Sequence, residues 1–230
     1  MRWLVPLMRA AAVATLLWAL LTRAGCAFIT NTCLGTNLFS YFTIHSNLLL
    51  LAVLVPALLY GLLDRPEPRW LTALRALATT YMAVTGVTFA LMLANAQLFD
   101  HLFLVPLSSK VLHFVLPPYA VLDFLLAPGR HRLPWAFAWA ALAYPVLWGA
   151  YTLVRGRMVD WYPYAFLNPA AVGGYQVVTL YAAALTVFIL VVAFTTTAAS
   201  RLPRTPAART LEGRRRDRRR SGGAHERAVG

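Results

Sequence analysis

A threonine hydroxyl attacks an ester carbonyl only when a base stands within hydrogen-bond reach to take its proton, and that base is most often an imidazole. The stretch SYFTIHSNLLLL, Ser40 to Leu51, sets Ser40, Thr43, His45, Ser46 and Asn47 at the head of an apolar run. The chain's five histidines are at 45, 101, 113, 131 and 225. Successive residues of a helix turn by about 100°, so Ser40, Thr43 and Asn47 share a stripe while His45 points almost directly away from Thr43. His45 therefore cannot serve Thr43 within a regular helix; it reads as an interfacial histidine with its ring in the headgroup layer. The base for Thr43 has to come from another part of the chain.

Composition says what positions these groups. Sixty per cent of the 230 residues are apolar and 13 per cent charged, with uninterrupted apolar runs of the roughly 20 residues that a bilayer core requires. The runs are continuous rather than alternating, and hydrocarbon demands that every backbone amide be satisfied internally, which indicates helices and excludes a barrel. The reading is an all-α polytopic bundle, a multi-pass protein of the cell membrane with six transmembrane helices. The spans are Trp3 to Leu21, Tyr41 to Leu63, Ala76 to Leu98, Val111 to Ala127, Pro134 to Leu153 and Tyr175 to Ala199. Residues 1–200 form this membrane domain, and 201–230 a basic, disordered tail.

Basic residues collect in short cytoplasmic loops. Arg2 and Arg9 at the N-terminus, Arg65, Arg69 and Arg75, Arg130 and Arg132, and the ten arginines of the tail fall on one side, whereas Arg23, Lys110, Arg155 and Arg157 fall on the other. Both termini are then cytoplasmic. The charged start, the apolar run from Ala10 to Leu21 and the small residues at Ala24 to Ala27 also fit a signal peptide. Cleavage there would leave the second span crossing from the same outer side.

Topology selects the base. His131 and His225 are cytoplasmic, across the bilayer from Thr43, and His101 is in an outer loop. His113, in KVLHFVLPPYAVLDF, alone shares the depth of Thr43, about one turn below the outer interface, and an imidazole at that depth is a functional candidate by default. Pro117 and Pro118 free backbone carbonyls and kink the helix below it, which can open a cavity for substrate or water. Asp123, ten residues on, lies about 15 Å toward the cytoplasm; it reads as an interfacial acid set against Arg130 or Arg132 rather than as the third member of a triad. No acid completes a triad, although Asp100 in the outer loop could approach His113.

Tyr41, Phe42 and Thr43, His113 with Leu116 and Pro117, and LWGAYTLVRGRMVDWYPYAFLNP follow in an order and spacing that resembles the androgen-induced gene and androgen-dependent TFPI-regulating protein family over about Ser40 to Pro169. The basic tail and the wording FTIHSN depart from the animal proteins, and the chain is similar to their bacterial six-pass relatives. The resemblance implies a membrane threonine hydrolase that cleaves fatty acid esters of hydroxy fatty acids. It also implies that the threonine at position 43 is the nucleophile and the histidine at position 113 its partner.

Acyl transfer through such a pair needs donors for a tetrahedral oxyanion. Asn47, one turn below Thr43, is the first choice and Asn95, at the outer end of the third span, the second; Ser40 and Tyr81 are further site-lining candidates. Tyr81, Thr85, Thr88 and Asn95 make a polar stripe on the third span that lines a passage or packs helices together. Lys110, Arg155 and Arg157 are the cations that would hold a lipid carboxylate, and Trp161, Tyr162, Tyr164 and Phe166 read as an interfacial aromatic belt. The competing reading is a non-enzymatic transporter or scaffold in which Thr43 and His113 merely stabilise the bundle.

Other chemistry lacks its residues. There is no HExxH, no glycine-rich phosphate cradle and no dinucleotide fingerprint, so neither a metal nor a cofactor is expected. Cys26 and Cys33, the only cysteines, are placed to bridge in the first outer loop. Much of the net charge of +13 sits in the tail, whose RRRDRRR is read as attracted to anionic lipid headgroups rather than to nucleic acid. Membrane lipids are the partners expected.

Overall fold

A computed structural model describes residues 3–30, 34–95, 105–127 and 129–203, with Asn95 described in its backbone alone. The helices are α1 (Leu4–Phe28), α2 (Gly35–Leu38), α3 (Phe42–Leu62), α4 (Arg69–Asn95), α5 (Leu107–Lys110), α6 (Leu116–Leu126), α7 (Ala136–Ala140), α8 (Ala143–Val159), α9 (Pro169–Val172) and α10 (Tyr175–Ala199). A π-helical turn, Val111–Val115, joins α5 to α6. Six passes are long and apolar enough to cross a membrane: α1, α3, α4, the composite α5 to α6, the composite α7 to α8, and α10. The described residues contain no strand, so the protein is an all-α membrane bundle.

Four passes are longer than the apolar runs suggest. The first reaches Phe28 rather than Leu21, the third starts at Arg69 rather than Ala76, the fourth starts at Leu107 rather than Val111, and the fifth continues to Val159 past Leu153. Polar residues extend a helix when its neighbours supply partners, and α4 shows this directly. Thr72 donates to the Gly129 carbonyl at 3.3 Å, and Arg75 is taken into an ion-pair network.

The core lies between α1, α3, α4 and α6, where Leu16, Ala19, Leu54, Ala57, Met82 and Leu116 are buried against one another. Alanines recur because helices in hydrocarbon gain from close van der Waals approach rather than from the hydrophobic effect. Ala138 and Ala141 of the fifth pass meet Ala193 of α10 in the same manner. The helix α8 stands off from the bundle, and the close backbone packing of α10 is on α4, α7 and α9 instead. Aromatic side chains bridge that gap, with Phe42 against Trp148 at 5.2 Å and against Tyr144 at 6.0 Å.

Prolines break two passes, and the two breaks are accommodated differently. Pro145 has no N–H to give to the Ala141 carbonyl four residues back, and Tyr81 on α4 donates its phenol to that carbonyl at 2.8 Å. Pro117 likewise leaves the His113 carbonyl without its helical donor. That carbonyl lies against Gly86, where an added Cβ would stand 3.0 Å from it and 3.0 Å from the Pro117 ring. The π-turn, closed by the Leu116 amide on the Val111 carbonyl, is how the backbone passes the proline pair.

At the end of the bundle where α4 begins, four buried charges close a ring. Arg9 binds Glu67 and Asp123, each at 2.8 Å, and Arg75 binds the same two acids at 2.7 and 2.6 Å. Asp123 is therefore not set against Arg130 or Arg132. Arg130 donates to the Phe124 and Leu125 carbonyls that end α6, and to Leu202, while Asp123, in the last turn of α6, is reached by arginines from two other passes. Arg9 and Arg75, counted from the sequence as loop charges, are 1% and 3% exposed.

Cys26 is disulfide-bonded; Cys33, the chain's only other cysteine, lies outside the described residues, as do His101, Asp100, His225 and the tail from residue 204.

Candidate active site

At the opposite end of the bundle, where α3 begins, Thr43 and His113 meet. Thr43 Oγ1 lies 3.1 Å from His113 Nε2, with Thr43 only 6% exposed. On its other side the imidazole bonds through Nδ1 to the Ser109 carbonyl at 2.8 Å. A carbonyl only accepts, so Nδ1 carries the proton and Nε2 presents a lone pair to the threonine hydroxyl. Phe89 stacks on the ring at 3.8 Å between centroids, which fixes its plane. A backbone carbonyl thus takes the orienting role that a carboxylate holds in the Ser-His-Asp arrangement.

The backbone of Thr43 is held as firmly as its side chain. Its carbonyl accepts from Ser46 Oγ at 3.0 Å and from Asn47 Nδ2 at 2.9 Å, and Ser46 is linked in turn to Thr85 at 3.1 Å. Because Thr43 is in the first turn of α3, its own N–H has no helical partner. Tyr164 fills that place: its phenol oxygen accepts from the Thr43 amide at 3.4 Å, stands 3.3 Å from Thr43 Oγ1 and is also hydrogen-bonded by the Phe42 amide. Burial pushes the Tyr164 phenol up to about 12, so it is a neutral donor across the physiological range.

The loop carrying Tyr164 folds back over α8. Asp160 takes a left-handed conformation (φ 51°) that ends the helix, and the ring of Tyr162 lies so close to Gly156 that any Cβ there would collide with it. Tyr41, Trp148 and Phe166 then enclose Tyr164, with ring centroids 5.3 to 6.0 Å away.

Thr43, His113 and Tyr164 line a cavity of about 390 Å³, within the usual size of small-molecule sites. Its remaining walls are Phe42, residues of α4 from Val84 to Met92, a stripe of α8 and a stripe of α10. No charged side chain among the described residues lines it.

The structure brings together only part of the residue set chosen from the sequence. Thr43 and His113 are in contact. Asn47 is within a turn of Thr43, but its amide nitrogen is committed to the Thr43 carbonyl, and its Oδ1 is buried without a partner; it braces the backbone and is not among the cavity's lining residues. Ser40 precedes α3 and bonds to the Thr36 carbonyl at 2.8 Å, while its own carbonyl accepts from Trp148 at 3.1 Å. Tyr81 is occupied at Ala141, outside the cavity. The side chain of Asn95 lies outside the described residues.

The three cations are also apart from the site. Arg155 bonds to Asn37 at 2.7 Å and stacks over Trp161, Arg157 is exposed, and neither they nor Lys110 line the cavity. His45 shares a 2.6 Å hydrogen bond with Tyr144, on the far side of α3 from His113. Tyr164 and Phe89 were not selected from the sequence. A tyrosine in a WYPY loop at the depth of Thr43 was the available signal, and an interfacial belt accounted for it equally well.

Fold and site together define an integral membrane bundle with a threonine–histidine pair facing a neutral, mostly apolar cavity. No family model, curated protein or solved structure matches the chain.

Proposed function

We propose that the protein is a lipid-ester hydrolase of the cell membrane, acting on fatty acid esters of hydroxy fatty acids or similar lipids. The observation that carries this reading is the 3.1 Å contact of Thr43 Oγ1 with an imidazole nitrogen whose tautomer is fixed as acceptor. The resemblance of the chain to the androgen-induced gene and androgen-dependent TFPI-regulating protein family supports it from the sequence side. In the proposed orientation both termini are cytoplasmic, and the arginine-rich tail lies on anionic lipid headgroups.

In the reaction, His113 Nε2 takes the Thr43 proton as the oxygen bonds to the ester carbonyl carbon. The carbonyl oxygen becomes an oxyanion, stabilised by the Tyr164 phenol and by the positive end of α3. Collapse of the tetrahedral intermediate breaks the bond to the alkoxy oxygen, which receives the proton from His113, and leaves acyl-threonine. Water, deprotonated by His113, then attacks the acyl carbon, releases the fatty acid and restores the Thr43 hydroxyl.

Hydrolysis of a fatty acid ester of a hydroxy fatty acid by the purified protein tests this. Thr43→Ala and His113→Ala each lower kcat/KM by at least about 10²-fold, the general-base contribution alone spanning about 10²–10⁴, and Thr43→Ser retains activity. Equal turnover by wild type and Thr43→Ala would reject the assignment.

A further inference from the structure

The cavity is not sealed from the side. Along α8 its lining residues recur with helical spacing through Val146, Gly149 and Ala150, and along α10 through Ala182, Leu185 and Thr186, so two stripes form the opposite edges of one slot. The helices bearing them do not pack closely on each other. Val146 lines the cavity and yet is 55% exposed, which places the opening on the outer surface of the bundle. Gly149 sends no side chain into the slot, and a Cβ built there meets no atom within 4 Å.

Both helices are membrane passes, and Gly149 lies ten residues, about 15 Å, from the end of α8. The opening therefore faces hydrocarbon rather than water. What borders such an opening in a bilayer is an acyl chain, and the walls it would meet are mostly apolar and uncharged. Small residues, glycine and two alanines, stand where a chain would slide between the helices.

We propose that the slot between α8 and α10 is the port by which the acyl chain of a membrane lipid slides from the bilayer into the cavity and reaches Thr43 without crossing water. The proposal takes the site end from the hydrolase reading, but occupancy of the slot does not depend on the reaction.

The test uses full-length Thr43→Ala protein in phosphatidylcholine vesicles containing a long-chain fatty ester with a terminal photoreactive diazirine; adducts are mapped by mass spectrometry. The expected adducts lie on cavity-facing residues of 146–153 and 182–189. Adding Gly149→Phe reduces them at least tenfold, whereas Gly149→Ala leaves them in place. Phenylalanine fits the helix better than glycine does, and Ala182→Phe blocks the slot from the opposite wall as a second, independent variant. Adducts confined to outward residues such as Leu147 and Leu180, 69% and 70% exposed, or equal adduct yields in the alanine and both phenylalanine variants, would overturn the port. Because these proteins lack the nucleophile, loss of the port and loss of the hydrolase reading are separate results.

Discussion

The chemistry of single residues at this site follows from which lone pairs are already spoken for. His113 gives its Nδ1 proton to Ser109 and so has one nitrogen left, facing Thr43. Tyr164 stands on the other side of the same hydroxyl with a proton to donate. Tyr164→Phe removes that donor and also the acceptor of the Thr43 amide, and kcat is expected to fall by at least about 10²-fold, the lower end for loss of an oxyanion donor; KM changes little, and single-turnover kinetics separate the two. The raised phenol also has a thermodynamic signature. The unfolded tyrosine ionises near about 10 and the folded one near about 12, so the unfolded chain loses its proton first. The stability that Tyr164 contributes is complete below pH 10 and declines as pH rises toward 12. Thermal unfolding of wild type and Tyr164→Phe across that window checks the sign: the wild type loses stability more steeply. Thr43 and His113 were legible because stripe and depth are properties of a helix in a bilayer. Tyr164 was not, because its position depends on a loop that folds back on Gly156.

At the scale of elements, the breaks matter more than the regular helix. His113 sits in a π-turn in front of a proline pair, and the freed carbonyl rests on Gly86. Gly86→Ala would gain up to about 1 kcal/mol in helix propensity and lose about 1–3 kcal/mol by overpacking against backbone that has no room to retreat. The net expectation is a loss of about 1 kcal/mol, with a larger relative fall in activity than in stability, because the contact displaces His113 itself; melting temperature and kcat measured on one preparation decide it. Tyr81→Phe is the contrasting case. It leaves the Ala141 carbonyl unsatisfied at about 1–3 kcal/mol, and its effect on rate is small because Tyr81 is outside the cavity. Pro117 and Pro118 announced that the fourth pass would be irregular, whereas the break at Pro145 was not read from the sequence. Which side chain repairs Pro145 depends on a contact between residues 60 positions apart, and periodicity carries no such information.

The whole molecule separates two polar centres across the bilayer. One end holds Thr43, His113 and Tyr164; the other holds the ring of Arg9, Glu67, Arg75 and Asp123, which ties α1, α4, α6 and the connection before α4 together. Glu67→Gln leaves two buried guanidinium groups short of a countercharge, and breaking a buried pair costs about 3–5 kcal/mol. Reversible unfolding in detergent should show a loss of that size, while the residual folded protein retains its kcat because the ring is remote from the site. Six passes were readable from hydrophobic runs alone. The ring was not, since Arg9 and Asp123 are 114 residues apart and charges near helix ends are ordinarily placed in water or headgroups.

The central claim is that Thr43 is a nucleophile activated by His113, and covalent capture tests it without knowledge of the natural lipid. Purified protein treated with a lipid-like fluorophosphonate is digested and the adduct located by mass spectrometry. The expected result is a single phosphonylated peptide with the adduct on Thr43, reduced at least tenfold in His113→Ala and lost in Thr43→Ala. Undiminished labelling of a folded Thr43→Ala protein, or no labelling of any form, would contradict the claim and favour a non-enzymatic bundle.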